Sequence, residues 1–144
     1  MNTRPLEFQE LCKREFSRIA ELYSPNDILT LATFDPFDAV YQSAMFSDKK
    51  FGEGSYDNIT AIRFVQRDLA LRRGKICYVS VHSDARGRGF GRALVTSVEN
   101  IFKQLGIIEV FTRNADNPSF WKHMGYSLSE LEPHEGDEVW AKKL

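Results

Sequence analysis

The sequence predicts an α/β fold built on a mixed sheet, and three observations carry that expectation. From Ile76 onward a β-branched run, a strongly periodic stretch, a second apolar run and a short capped segment follow one another. That strand-helix-strand-helix order calls for neighbouring parallel strands joined by a right-handed crossover. Ahead of it, two β-leaning runs flank the turn-forming Asp35-Pro36-Phe37-Asp38, the pattern of an antiparallel hairpin, and an amphipathic helix opens the chain.

Each element has its own signal. Pro5 suits a first helical turn, and Phe8, Leu11, Cys12, Phe16, Ile19, Ala20 and Tyr23 recur at helical spacing as far as Ser24-Pro25. Residues 28–34 and 39–46 are the hairpin strands. The signal weakens over residues 47–73: Asp48 to Ser55 is loop-like in composition, while 58–73 fits both a short helix and a strand. Residues 76–81 have strand composition and run into a segment rich in glycine and arginine. Leu94, Val95, Val98, Ile101, Phe102 and Leu105 share one helical face, with Gly106 placed to end that helix in a left-handed conformation. Residues 107–112 read as a further strand, Asn117-Pro118 as an N-cap with a first-turn proline, and Gly125 as a helix stop. Residues 126–128 and 138–144 are expected to pair as a closing hairpin.

Length and composition bound the function. At 144 residues the chain suits one domain, 1–144, since a single core serves ~100 to 200 residues. With 42% hydrophobic residues, 11 Phe and 2 Trp, there is enough apolar material to offset chain entropy, which excludes wholesale disorder. Nineteen Lys and Arg against 20 Asp and Glu leave a formal charge of -1, so no protein-wide field recruits a polyanion, and neither nucleic acid nor a membrane is expected as a partner. Cys12 and Cys77 have no metal-ligand spacing and are expected to be reduced thiols. With no secretory leader and no apolar stretch of ~20 residues, the expected setting is the cytoplasm, as a monomer or homodimer.

The segment that carries chemistry is Arg86-Gly87-Arg88-Gly89-Phe90-Gly91-Arg92, between a strand end and the start of the most periodic helix. Glycines allow a tight turn without Cβ obstruction, and the first-turn N–H groups of the helix point outward at its positive dipole end. Arginine forks add donors suited to phosphate oxygens, so a pyrophosphate is a natural occupant. The alternating glycines depart from the dinucleotide pattern Gly-x-Gly-x-x-Gly, and no Gly-Lys-Ser/Thr follows as a nucleotide phosphate loop requires. Two other readings are an arginine- and glycine-rich RNA-binding segment, which is usually longer and repeated, and a turn whose arginines are merely solvated.

This segment resembles that of the GNAT superfamily of acetyl-CoA-dependent N-acetyltransferases. The family's central pattern, Gln or Arg, two residues, Gly, one residue, Gly or Ala, is matched by Arg86, Gly89 and Gly91 after the strand ending Val79-Ser80-Val81-His82. A second pattern, an Asn followed by a short helix containing Phe-Tyr and ending Gly-Phe, is similar in spacing to the run from Asn114 through Asn117, Phe120 and Trp121 to Gly125-Tyr126, where Phe120-Trp121 stands in place of Phe-Tyr. The resemblance spans residues 76–126, with 138–144 similar to the family's last strand; the family's usual N-terminal strand has no counterpart here.

The resemblance implies a GNAT-like mixed sheet, splayed at its centre and flanked by helices, with acetyl-CoA as co-substrate. The pantetheine arm would lie like an added strand along Val79 and Val81, and the pyrophosphate would sit on the loop from Arg86 through Gly87, Arg88, Gly89, Phe90 and Gly91 to Arg92. Asn114, Asn117 and Phe120 would line the other wall. The implied reaction is direct transfer of acetyl to a primary amine, only about one part in 10³ of which is neutral at pH 7, so a positioned base matters. The carboxylate common on the strand before the glycine loop is missing, that strand reading Lys75-Ile76-Cys77-Tyr78. Glu109 and His82 are the nearest substitutes for the base. Trp121 replaces the tyrosine that commonly protonates the leaving thiolate; Tyr126, Tyr78 and His123 are the candidates to substitute as acid if the fold aims them at sulfur, and a thiolate of pKa near 8.5 can also leave without one. A different class of function, a non-catalytic acyl-CoA-binding regulatory module, would keep the glycine loop and dispense with acid-base groups.

Overall fold

The computed structural model describes residues 5–23, 27–34, 40–48, 60–67, 72–81, 87, 89–113, 117–129 and 138–144. The elements are α1 (Pro5–Tyr23), β1 (Asp27–Phe34), β2 (Val40–Asp48), β3 (Thr60–Arg67), β4 (Arg73–Ser80), α2 (Phe90–Gln104), β5 (Glu109–Arg113), α3 (Pro118–His123), β6 (Ser127–Ser129) and β7 (Val139–Lys143). The strands form one sheet in the order β1-β2-β3-β4-β5-β7-β6. The β4 and β5 neighbours are parallel and the other pairs antiparallel. The expected α/β class with a mixed sheet is what forms, hairpin and closing strand pair included. The ambiguous stretch resolves as β3, with Ile62 and Phe64 wholly buried.

One face of the sheet carries the core. On α1, Phe8, Cys12, Phe16 and Ile19 are buried, with the rings of Phe8 and Phe16 6.1 and 6.0 Å from that of Phe64. Phe102 of α2 also meets Phe64 edge-on, at 5.6 Å. Two helices thus converge on one aromatic of β3, and aromatic pairs at this spacing add to the area they bury.

Two irregularities position the site. The β3–β4 register shifts between Arg63 and Phe64, so that Arg63 faces Tyr78 while Phe64 faces Ile76, and Cys77 is the extra residue of a bulge. An extra residue reverses which side chains face the core. Before it Gly74 and Ile76 are buried; after it Val79 and Val81 pack against the core, and Tyr78 and Ser80 are exposed. The second irregularity is the short β4–β5 ladder, running from Arg73↔Glu109 to Ile76↔Thr112. Beyond it β4 continues to Ser80 paired with β3, and Arg113 stays with β7 opposite Val139. The sheet divides there, in front of α2.

Candidate cofactor cleft

Gly89 caps α2 in the left-handed region (φ 80°, ψ 15°), no side chain bonds the cap, and the first turn holds no acid. Its carbonyl accepts the Ala93 N–H at 3.0 Å, so the helix begins cleanly. Gly87 is likewise at φ 83°, and a Cβ built there meets nothing within 4 Å. Positive φ at both positions is the reason for the alternating glycines. A helix start uncapped by side chains, free of acid and opened by left-handed glycines has the donor set that a pyrophosphate needs. The residues present therefore fit the group expected from the sequence.

Three of the expected cofactor residues meet at one point. A Cβ built on Gly91 would stand 3.4 Å from Cγ2 of Val81 and 3.6 Å from the Phe120 ring. The end of β4, the first turn of α2 and α3 therefore converge where the sheet divides. Gly87, Gly89 and Arg92 are exposed beside them. Phe90 contributes backbone to this surface, because its ring is buried and edge-on to Phe46 at 5.1 Å. Asn117 is exposed, but its side-chain oxygen caps α3 by accepting the Phe120 N–H at 3.3 Å. His82, Arg86, Arg88 and Asn114 lie outside the described residues.

Of the expected acid-base groups, the two among the described residues, Glu109 and Tyr126, do not gather at the cleft. Glu109 forms the first rung of the β4–β5 ladder and pairs with Arg73, Oε1 to Nε 3.4 Å. Six residues separate Arg73 from Val79, roughly 20 Å at about 3.3 Å per residue, so Glu109 belongs to the opposite end of the sheet. Tyr126 is buried and its hydroxyl donates to Glu99 Oε2 at 2.7 Å. Burial, reinforced by the Glu99 charge and that hydrogen bond, pushes the phenol far above its ordinary range. A group so placed holds its proton rather than handing it to a thiolate. Trp121 is buried edge-on between Phe120 and Tyr126, with ring centroids 5.2 and 4.9 Å away.

Glu99 is the residue that sequence reasoning missed. Within the apolar face of α2 it is only 5% exposed, accepting from Tyr126 and, at 3.2 Å, from the Lys142 ammonium, which also donates to the Met124 carbonyl at 2.9 Å. The one available signal was an acid interrupting an otherwise hydrophobic stripe.

Fold and site together define an α/β protein with an anion-accepting helix start beside a divided sheet. Residues 56–126 match the model of the Acetyltransferase (GNAT) family. A search of curated protein sequences returns no match. Among solved structures, Tetrahymena GCN5 superposes with a TM-score of 0.56 at 15% identity, over 72% of this chain and 68% of that one. The PaiA N-acetyltransferase from Thermoplasma acidophilum, solved in complex with coenzyme A, gives 0.53 at 13% identity over 99% and 80%. The GNAT domain of S. lividans PAT gives 0.53 at 16% identity over 74% and 61%. At these identities the likeness is one of fold. The chain carries a domain of the GNAT acetyltransferase family, whose chemistry is acyl transfer from acyl-CoA to an amine. Among the described residues no helix is long and apolar enough to cross a membrane.

Proposed function

We propose that the chain is an acetyl-CoA-dependent N-acetyltransferase acting on a primary amine, as a single domain in the cytoplasm. The observation that carries this reading is the convergence of Val81, Gly91 and Phe120 beside the uncapped start of α2. The pyrophosphate takes the α2 amides and the exposed Arg92, and the pantetheine arm follows β4 along Val79 and Val81 past the end of the β5 ladder. The amine attacks the thioester carbonyl, the C–S bond breaks, and CoA leaves as a thiolate whose pKa near 8.5 makes it a tolerable leaving group without an acid. A backbone N–H near Val79 polarises the carbonyl. His82, next in the chain after Val81, is the base this reading retains, since Glu109 and Tyr126 are engaged elsewhere.

Release of free thiol from acetyl-CoA across a panel of primary amines tests this. Turnover with at least one amine, lowered by one to two orders of magnitude in His82→Ala and with its pH dependence altered, is the expected result.

The placements of Glu109 and Tyr126 favour a second reading, a non-catalytic acyl-CoA-binding module. It predicts saturable CoA binding with no thiol release from any amine in the panel.

A further inference from the structure

We propose that Glu99 is a positioning residue for CoA binding, acting through Tyr126 on the wall of the cleft formed by α3. The inference rests on the CoA-binding reading above and adds a residue remote from the cofactor.

A buried carboxylate is a poor means of stabilising a helix face, because its desolvation offsets much of what its partners return, and an apolar residue of similar volume often serves as well. What a carboxylate adds is direction. Glu99 fixes the Tyr126 hydroxyl at 2.7 Å and the Lys142 ammonium at 3.2 Å, and Lys142 in turn donates to the Met124 carbonyl just past α3. The α2 helix therefore grips the chain immediately after α3.

At its other end α3 meets α2 again, where the Phe120 ring lies 3.6 Å from the position of a Gly91 Cβ. Gly91 and Glu99 are eight residues apart, about 12 Å along the helix. Between the two contacts Phe120, Trp121 and Tyr126 stack edge-on in series, and the Tyr126 N–H donates to the Trp121 carbonyl at 2.9 Å. The short α3 is thus braced to α2 at both ends, and the polar brace sets where Phe120 and Asn117 stand relative to the glycine loop. Loosening it moves one wall of the cleft without touching any group that contacts the cofactor.

The test is a calorimetric titration of CoA into the full chain, its Tyr126→Phe, Glu99→Ala and Glu99→Gln variants, and the surface control Glu15→Gln, with thermal midpoints measured in parallel. Expected is a dissociation constant about tenfold higher in Tyr126→Phe and Glu99→Ala, below the thermal midpoint of each. Glu99→Gln should stay within about twofold of the unaltered chain, since an amide offers its oxygen to Lys142 and its NH₂ to the phenol oxygen. Lower thermal midpoints with unchanged affinity overturn the proposal, as does Glu99→Gln failing as badly as Glu99→Ala. Should Glu99→Ala not fold, Tyr126→Phe, which removes one atom, decides alone. An unaltered chain that binds no CoA refutes the proposed function first, and this inference with it.

Discussion

Gly74 of β4 lies directly under the ring of Phe102, so closely that a Cβ built on it would stand 2.5 Å from both Cε2 and Cζ. This contact seats α2 on the sheet, and with it the glycine loop at the head of the helix. The ring cannot simply swing away, because Phe102 is wholly buried and edge-on to Phe64 at 5.6 Å. Gly74→Ala should therefore cost about 1 to 3 kcal/mol by overpacking, despite the better strand propensity of alanine. Urea denaturation checks it; a variant as stable as the parent contradicts the packing described.

Arg72 precedes the same strand at φ 54°, a left-handed conformation that costs a residue with Cβ about 1 to 2 kcal/mol. Its side chain is exposed, and its carbonyl, which accepts the Ile108 N–H at 2.9 Å, survives any substitution. Arg72→Gly should be neutral to stabilising by up to about 1 kcal/mol, the gain being reduced by the greater freedom of glycine in the unfolded chain. Loss of stability in the same denaturation assay would argue that the arginine head has a role.

Burial pushes the Cys12 thiol from 9.0 up to about 12, and burial likewise raises the Tyr126 phenol. Both folded-state values exceed the unfolded ones, so as pH rises the unfolded chain loses these protons first. Their contribution to stability is complete below about pH 9 and declines as the pH rises toward 12. Thermal midpoints from pH 8 to 11 should fall accordingly. Iodoacetamide at pH 8 should label the half-buried Cys77 in the native protein and spare Cys12 until denaturant is added.

Glu109→Gln probes the far end of the sheet. The residue pairs with Arg73 at a partly exposed site, where such pairs contribute about 0 to 1 kcal/mol. Thiol release should stay within about twofold of the parent rate, with an unshifted pH profile. A hundredfold loss would return Glu109 to the reacting centre and contradict its placement.

Much of this architecture can be read from residue order because its punctuation is local. Asn117-Pro118 caps α3 as its composition demands, and Gly106 and Gly125 take the positive φ that ends their helices. The alternating glycines announce the α2 start for the same reason. What escapes is whatever depends on strands meeting. The stretch holding β3 reads both ways because the buried Ile62 and Phe64 are flanked in sequence by Ala61 and Val65, a run that Arg63 alone interrupts and that blurs the strand alternation. The bulge at Cys77 has no local signature, yet it decides which of Tyr78 and Val79 faces the helices. Glu109 sits beside β4 as its strand order implies, but at the wrong end, since register along a parallel ladder is a tertiary property. Residue order offers Tyr126 as a candidate acid and conceals that its hydroxyl is engaged, since its partner, Glu99, lies 27 residues away in the sequence.

The central claim is that the opened glycine turn at the head of α2 takes the pyrophosphate of CoA, and calorimetry on Gly89→Asp measures it most directly. The substitution sets a carboxylate at a helix start that now has neither acid nor side-chain cap, and forces a side chain into φ 80°. The account predicts saturable CoA binding by the parent chain and at least a tenfold weaker association in the variant, from charge repulsion and backbone strain together. Equal affinity in both proteins, with the variant folded, would contradict it.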